Sequence, residues 1–290
     1  MSKNLKFFLS SLLLSFPFWW WVNVFQENLE DFLFWERMAS NPELLFAQVL
    51  QENELAKLKP IRDHRVPDFE TRAEAAISVF APEGGEDRVL FEKNTEKTLP
   101  IASLTKLMTA KVVLNHYDIA ESEIAYLLYP LLISSDNEAA SALADMVFGK
   151  DAFLDFMNLE AKTLDMENTH FFNPTGLDPE PNEAKDKVNY STAKDLVKLS
   201  KDITANHPLI WEITSRQAFE DNLNTNELLE EFPKTIGGKT GFTILAKGCL
   251  LLVLKAPNSK GKIISVILGS PDRFRDMREQ ISWINSAYKW

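Results

Sequence analysis

Three short runs in this chain hold the residue types needed to break an acyl bond: Ser103-Leu104-Thr105-Lys106, Ser135-Asp136-Asn137 and Lys239-Thr240-Gly241. A serine hydroxyl is a weak nucleophile until an adjacent base takes its proton. Ser103 and Lys106 are three residues apart, so at the start of a helix they share one face, one turn apart. A lysine can be that base if desolvation or a neighbouring cation keeps its amine neutral, and Lys239 is the candidate neighbour. The N-terminus of the helix favours negative charge developing on Ser103. A hydroxyl at Ser135 can pass a proton from lysine to a leaving amine. An amide at Asn137 can grip a substrate peptide group. Lys239 and Thr240 can bind a carboxylate, which suits a substrate ending in a free C-terminus.

Taken singly, each run has a plainer reading: a helix-capping serine with a solvated lysine, a capping sequence, and a turn with a surface lysine. Gly237-Gly238-Lys239-Thr240-Gly241 is not a phosphate loop, because that pattern requires glycine where this chain has Pro233. The order and company of the three runs must therefore decide.

The elements around them are legible. Ala75–Phe80 and Arg88–Glu92 read as strands, joined by turn residues at Pro82-Glu83-Gly84-Gly85. Pro100-Ile101-Ala102 leads into a helix over Leu104–Asn115. Further helices are predicted at Asp136–Phe148, Asp151–Leu164 and Ser191–Asp202. The run Leu127–Ile133 is too apolar for a surface connection, which puts Ser135 at a buried edge. Cys249–Leu254 and Lys262–Leu268 read as a second hairpin, with Gly237–Gly241 as an edge strand before it; glycines there permit close approach of a ligand backbone. A final helix runs from Pro271-Asp272 to Tyr288. Terminal strands and helix enclosing a helical middle predict an α+β fold, an α/β/α sandwich with an antiparallel sheet of about five strands flanked by helices.

With these elements in view, the chain resembles the serine-type D-alanyl-D-alanine carboxypeptidases, the low-molecular-mass penicillin-binding proteins. Pro100-Ile101-Ala102-Ser103-Leu104-Thr105-Lys106-Leu107-Met108-Thr109-Ala110 is similar to that family's nucleophile segment. Phe172-Asn173-Pro174-Thr175-Gly176-Leu177-Asp178, Ser191-Thr192-Ala193-Lys194-Asp195-Leu196 and Gly238-Lys239-Thr240-Gly241-Phe242-Thr243 match its other landmarks, so the likeness covers roughly residues 72–285. The resemblance implies an acyl-enzyme on Ser103 formed from the penultimate D-alanine of a peptidoglycan pentapeptide stem. It implies Lys106 as general base, Ser135 as proton relay and Asn137 as substrate-amide ligand. Lys239, Thr240 and Thr243 would bind the terminal carboxylate, Gly241 would belong to the substrate-binding strand, and the N–H groups of Ser103 and Phe242 would form the oxyanion hole. β-Lactams would trap Ser103. No cofactor or metal is implied.

Two departures stand out. Ser135 follows Ser103 by 32 positions, a shorter stretch than the family usually has, which should open one rim of the cleft. Ala246-Lys247-Gly248-Cys249 stands where the family commonly has A-G-x-C. Ending at Trp290, the sequence is expected to lack the C-terminal β-domain of many relatives. The rival readings are a class A-like β-lactamase, with Pro179-Glu180-Pro181-Asn182-Glu183 in the place of its glutamate loop, a non-catalytic wall-binding homologue, and a DD-endopeptidase that cuts crosslinks with the same residues.

Composition bounds the remainder. Hydrophobic residues make up 45% and charged residues 25%, ordinary for a globular protein. The net charge of −11 argues against a nucleic-acid partner, which needs a basic face. The single cysteine, Cys249, excludes an internal disulfide and reads as a buried, inert thiol. His64, His116, His170 and His207 have no zinc-peptidase spacing and read as surface or capping residues. Met108, Met146, Met157 and Met166 read as core.

Lys3 and Lys6 precede 19 uncharged residues, Phe7–Phe25, and Glu27, Glu30 and Asp31 follow. As a helix that stretch would be about 28 Å long, near the thickness of a bilayer core. Residues 1–26 are thus expected to be a signal-anchor in the cytoplasmic membrane or a cleaved signal peptide, with the rest on the outer side of the bacterial envelope. Residues 27–67 are expected to form a helical stalk and a polar linker, and 68–290 the catalytic domain.

Overall fold

A computed structural model of the chain describes residues 59–117, 123–180, 184 and 187–290, together with Leu29 and Glu36. The expected membrane segment and, apart from Leu29 and Glu36, the helical stalk lie outside the described residues. Among those described, no helix is long and apolar enough to cross a membrane.

The compact unit runs from Leu58 to Trp290, starting earlier than the Asp68 expected from sequence. Its entry strand, β1 (Ile61–Arg62), lies in the stretch expected as a linker. The hairpin β2 (Ala75–Pro82) and β3 (Arg88–Lys93) follows, then β4 (Leu99–Pro100). A 3-10 turn, Ala102–Leu104, opens directly into α1 (Thr105–His116). Three more helices follow: α2 (Glu123–Leu132), α3 (Asn137–Val147) and α4 (Lys150–Thr163). β5 (Tyr190–Ser191) pairs back with β4 before α5 (Ala193–Asn206) and α6 (Pro208–Thr214). A small hairpin, β6 (Ala218–Phe219) and β7 (Asn222–Leu223), leads to the long strands β8 (Thr235–Thr243), β9 (Lys247–Lys255) and β10 (Gly261–Ser270). α7 (Arg273–Ala287) and β11 (Tyr288–Lys289) end the chain, and β11 pairs with β1. That pairing is why the segment before Asp68 is docked: Ile61 and Arg62 face Lys289 and Tyr288, and the Arg62 guanidinium also holds the Val66 carbonyl at 2.7 Å.

The central sheet is antiparallel in the order β3-β2-β10-β9-β8, which leaves β8 as an edge. Its inner strands are buried on both faces, so they read as continuous apolar runs rather than alternating ones. The period of two still sorts them. Cys249, Leu251 and Val253 of β9 join the large core with α1, whereas Leu250, Leu252 and Leu254 pack with Met277 and Ile281 of α7. Helices therefore cover both faces, the α/β/α arrangement expected.

α1 is buried from Thr105 to Val113, nearly all round, as a helix at the centre of a helical layer must be. This rigid rod carries Lys106. Met108, Met157 and Met166 are buried as expected, but Met146 is 43% exposed, because it falls on the outer face of α3.

Candidate active site

The site forms where the 3-10 turn, the α2–α3 connection and the edge strand β8 converge. The structure brings Ser103, Lys106, Ser135, Asn137 and Lys239 into one cleft. Lys106 Nζ lies 3.1 Å from Ser103 Oγ, 2.7 Å from Asn137 Oδ1 and 2.7 Å from the Thr175 carbonyl oxygen. Lys106 is fully buried, and that burial lowers its pKa from the ordinary lysine value to about 7, against a smaller opposing pull from Asp136. A neutral amine has two N–H groups and one lone pair. Asn137 Oδ1 and the Thr175 carbonyl can only accept, so they take the two N–H groups and leave the lone pair facing Ser103. The same logic orients Asn137: its oxygen faces Lys106, so its NH₂ is free to donate to a substrate carbonyl.

Local sequence explains how these groups arrive. Asp136, not Ser135, caps α3; its carboxylate accepts from the Glu138 and Ala139 N–H groups at 2.7 and 3.1 Å. Ser135 sits just before the cap with φ +64°, a left-handed conformation that is costly for serine. Ala102, just before Ser103, is likewise left-handed at φ +47°. Strain thus sits beside both hydroxyls.

The landmark loop 172–178 does the positioning. Asn173 Oδ1 accepts from the Thr175 and Gly176 N–H groups and from the Thr175 hydroxyl. The Asn189 amide donates to Thr105 Oγ1 and to the Asn173 carbonyl, which ties the loop to α1. This fixes the Thr175 carbonyl over Lys106. Gly176 has φ +82°, and a Cβ there would lie 2.0 Å from the Ala102 carbonyl oxygen, so only glycine permits the approach.

β8 supplies the opposite wall. Lys239 is buried, and its Nζ donates to Ser135 Oγ at 2.8 Å and to the Thr240 carbonyl at 3.2 Å. Burial first, then the charges of Lys106 and Arg273, hold Lys239 well below the ordinary lysine range. A Cβ on Gly241 would lie 3.1 Å from the Ser103 nitrogen, so the strand edge meets the nucleophile segment almost backbone to backbone. The Gly238 N–H turns away from β9 and donates to Thr214 Oγ1. Alternation along the strand gives Phe242, four residues on, the same outward direction. The Phe242 N–H therefore leaves the edge of β8 next to Gly241, where the strand meets the Ser103 nitrogen, an arrangement in which both N–H groups could meet a developing oxyanion.

Thr243, expected at the carboxylate site, has its hydroxyl engaged by other groups. It donates to Asp178 Oδ1 at 2.7 Å and accepts from the Ala246 N–H at 3.1 Å, so its one donor hydrogen, the part a carboxylate would need, is spent locally. Thr240 stays beside Lys239, and its hydroxyl is hydrogen-bonded to that of Thr225. Lys247, the departure from the family pattern, pairs with Glu74 at 2.8 Å on the surface, away from Ser103. Cys249 is buried and its thiol is pushed up to about 12 by burial.

Two residues were missed by sequence reasoning. Thr225 is set by the bracketing pair Asn224 and Asn226: Asn224 Nδ2 holds the Thr214 and Arg216 carbonyls, and Asn226 Oδ1 caps the Leu228 N–H. The N-x-N spacing was the available signal. Arg273 opens α7, half-buried, with its Nε lacking a hydrogen-bond partner. Its guanidinium lies 5.9 Å from the centre of the Phe242 ring, and its charge reaches Lys239. Nothing local in Pro271-Asp272-Arg273 announces that position.

Comparison with known proteins agrees with this geometry. The profile of the D-alanyl-D-alanine carboxypeptidase family matches residues 119–272, which include Ser135-Asp136-Asn137 and Lys239-Thr240-Gly241 and begin after Ser103. A D-alanyl-D-alanine endopeptidase of Pseudomonas aeruginosa is 31% identical over 73% of this chain and 78% of its own length. The carboxypeptidase DacF of Bacillus subtilis is 28% identical over 71% of this chain, which spans 59% of that relative. Among solved structures, the penicillin-binding protein D2 of Listeria monocytogenes in its cefotaxime-bound form superposes with a TM-score of 0.64. It is 29% identical, over 76% of this chain and 99% of that one. On its sequence and its fold, the chain belongs to the D-alanyl-D-alanine carboxypeptidase family of serine peptidases.

Proposed function

We propose that the protein is a serine DD-peptidase that removes the terminal D-alanine from peptidoglycan stem peptides. The observation that carries this reading is the Lys106 amine, buried, held by two pure acceptors and aimed at Ser103 Oγ 3.1 Å away. In acylation, Lys106 takes the Ser103 proton as Oγ attacks the carbonyl of the penultimate residue. Negative charge on that carbonyl oxygen moves between the Ser103 and Phe242 N–H groups. The C–N bond then breaks as the leaving amine takes the proton of Ser135, whose hydroxyl is hydrogen-bonded to Lys239; Ser135 is reprotonated from the lysine pair, which thereby gives up the proton that Lys106 took from Ser103. Water releases the acyl group and restores Ser103.

The substrate's free carboxylate finds Lys239, Thr240 and Arg273 on one side of the cleft, three groups suited to an anion. That preference separates a carboxypeptidase from a general amidase. β-Lactams carry the same acyl and carboxylate groups, and the Listeria relative was solved with cefotaxime bound; here they would acylate Ser103. The charge pattern of residues 1–31 supports placement at the outer face of the cytoplasmic membrane.

An endopeptidase reading is favoured by one observation: relatives from Pseudomonas aeruginosa and Escherichia coli bearing that name are 31% and 32% identical. Incubation with a pentapeptide muropeptide and with a crosslinked dimer, followed by mass spectrometry, decides. Loss of one D-alanine from the pentapeptide is the expected result, cleavage of the dimer alone selects the endopeptidase, and no product from either defeats both.

A further inference from the structure

On the α7 side of the sheet the fold leaves a cavity of about 450 Å³. Phe232, Leu254, Ile263, Ile281, Ile284 and Trp290 form its apolar wall, and none of them belongs to the cleft. The cavity lies beside the start of β8. Lys234, also in its wall, precedes Lys239 by five positions, roughly 17 Å of strand. Protein interiors are close-packed, with few voids larger than a water molecule, so a space of this size is exceptional. An apolar cavity of about 150 Å³ already stays dry and takes up benzene. This one falls in the range of small-molecule sites, about 300–1,000 Å³.

Charge says what kind of molecule fits it. Lys234 and Lys255 are exposed and belong to the same wall. The Lys255 N–H donates to the Lys234 carbonyl at 2.8 Å, which sets the two residues side by side where β8 begins and β9 ends. Lys262 of β10 lies directly opposite Lys255. Like charges so placed on a sheet are destabilising. Among the described residues, none of the three ammonium groups has an ion pair or a hydrogen bond. The chain has 42 acidic side chains against 31 basic ones, so partners are plentiful, yet none is placed there. An apolar wall with a row of unpaired cations at one end complements a molecule with an apolar tail and an anionic head. We propose that this cavity binds a single-chain anionic amphiphile, such as a long-chain carboxylate. The tail lies between α7 and the sheet, and the head meets Lys234, Lys255 and Lys262. The site is separate from the peptidase cleft and does not depend on its reaction.

The test titrates the full chain by calorimetry with decanoate, as monomer, and with decanol, which has the same chain and no charge. Decanoate should bind one to one and about tenfold more tightly than decanol, the scale of a few exposed cations acting on one anion. In the double variant Lys234→Ala, Lys255→Ala, decanoate should fall to the affinity of decanol. Asn285 is exposed and stands in the cavity wall, so a large side chain there plugs the space without entering the core. Asn285→Trp should abolish binding of both ligands. Melting curves like the wild type's show that each variant is folded. No saturable binding of decanoate, equal affinity for acid and alcohol, a gap that survives in the lysine variant, or binding indifferent to the plug overturns the proposal. So does attachment to phosphatidylglycerol vesicles without binding of monomeric decanoate, which would make the lysine row a membrane contact.

Discussion

Lys106 and Lys239 are two buried lysines in one cleft, each hydrogen-bonded to a different serine, Ser103 and Ser135. Among the described residues neither donates a hydrogen bond to a carboxylate, and the positive charge of Lys106 adds to burial in holding Lys239 below its usual range. Removing the proton from one relieves the other. The pair thus favours a single shared charge, and a carboxylate bound beside Lys239 would draw that charge toward it.

The first prediction is a pH profile. With its pKa lowered to about 7, Lys106 is protonated below that pH and has no lone pair for Ser103. Acylation by a fluorescent penicillin should rise about tenfold per pH unit through the acid range and level off above about pH 7. Stopped-flow rates from pH 5 to 9 check this. A profile flat down to pH 5 would remove Lys106 as the base.

Gly241 tests the meeting of β8 with the nucleophile segment. An alanine there places Cβ 3.0 Å from the Ile101 carbonyl oxygen and 3.1 Å from the Ser103 nitrogen. The edge must retreat, which spoils the donor geometry at the oxyanion site. Gly241→Ala should lose about 10²-fold in acylation rate, while its melting curve shows that the fold persists. Full activity in this variant would place the oxyanion donors elsewhere.

Thr243 should matter for stability and not for recognition of the carboxylate. Thr243→Val strands Asp178 Oδ1 and the Ala246 N–H, at a cost of about 1–3 kcal/mol. Thr240→Val, by contrast, should lower the preference for a free-acid peptide over its C-terminal amide. Denaturant titration and the acid-to-amide ratio of kcat/KM separate the two residues. Loss of that ratio in Thr243→Val would return Thr243 to the clamp.

The fold was legible where local rules govern it. Apolar runs gave β2, β9 and β10, and turn chemistry gave their hairpins. The Ser103–Lys106 spacing survives because one helical turn holds both, and Ser135 and Asn137 because Asp136 caps the helix between them. What sequence could not show depends on distant packing. β1 has two residues and no period to read, and it exists because β11 lies beside it. Thr243 matched a carboxylate-binding pattern, but Asp178, far along the chain, claims its hydroxyl. Met146 and the buried methionines look alike in sequence, and only the packing of α3 sorts them.

Arg273 is the same lesson turned into a prediction. It enters the cleft because α7 packs over β9 at Gly248, whose missing side chain leaves room: a Cβ there would lie 3.0 Å from Arg273 Cβ. A half-buried guanidinium with an unpartnered Nε is costly to keep unless an anion completes it. Arg273→Ala should therefore lower kcat/KM for free-acid peptides by roughly thirtyfold, about 2 kcal/mol, with a much smaller effect on C-terminal amides. Arg273→Lys should recover part of the loss, since a point charge remains but the planar fork is gone. Equal losses on acid and amide would show that Arg273 only packs against Phe242 and Phe274, whose ring centres lie 5.9 and 4.6 Å from its guanidinium.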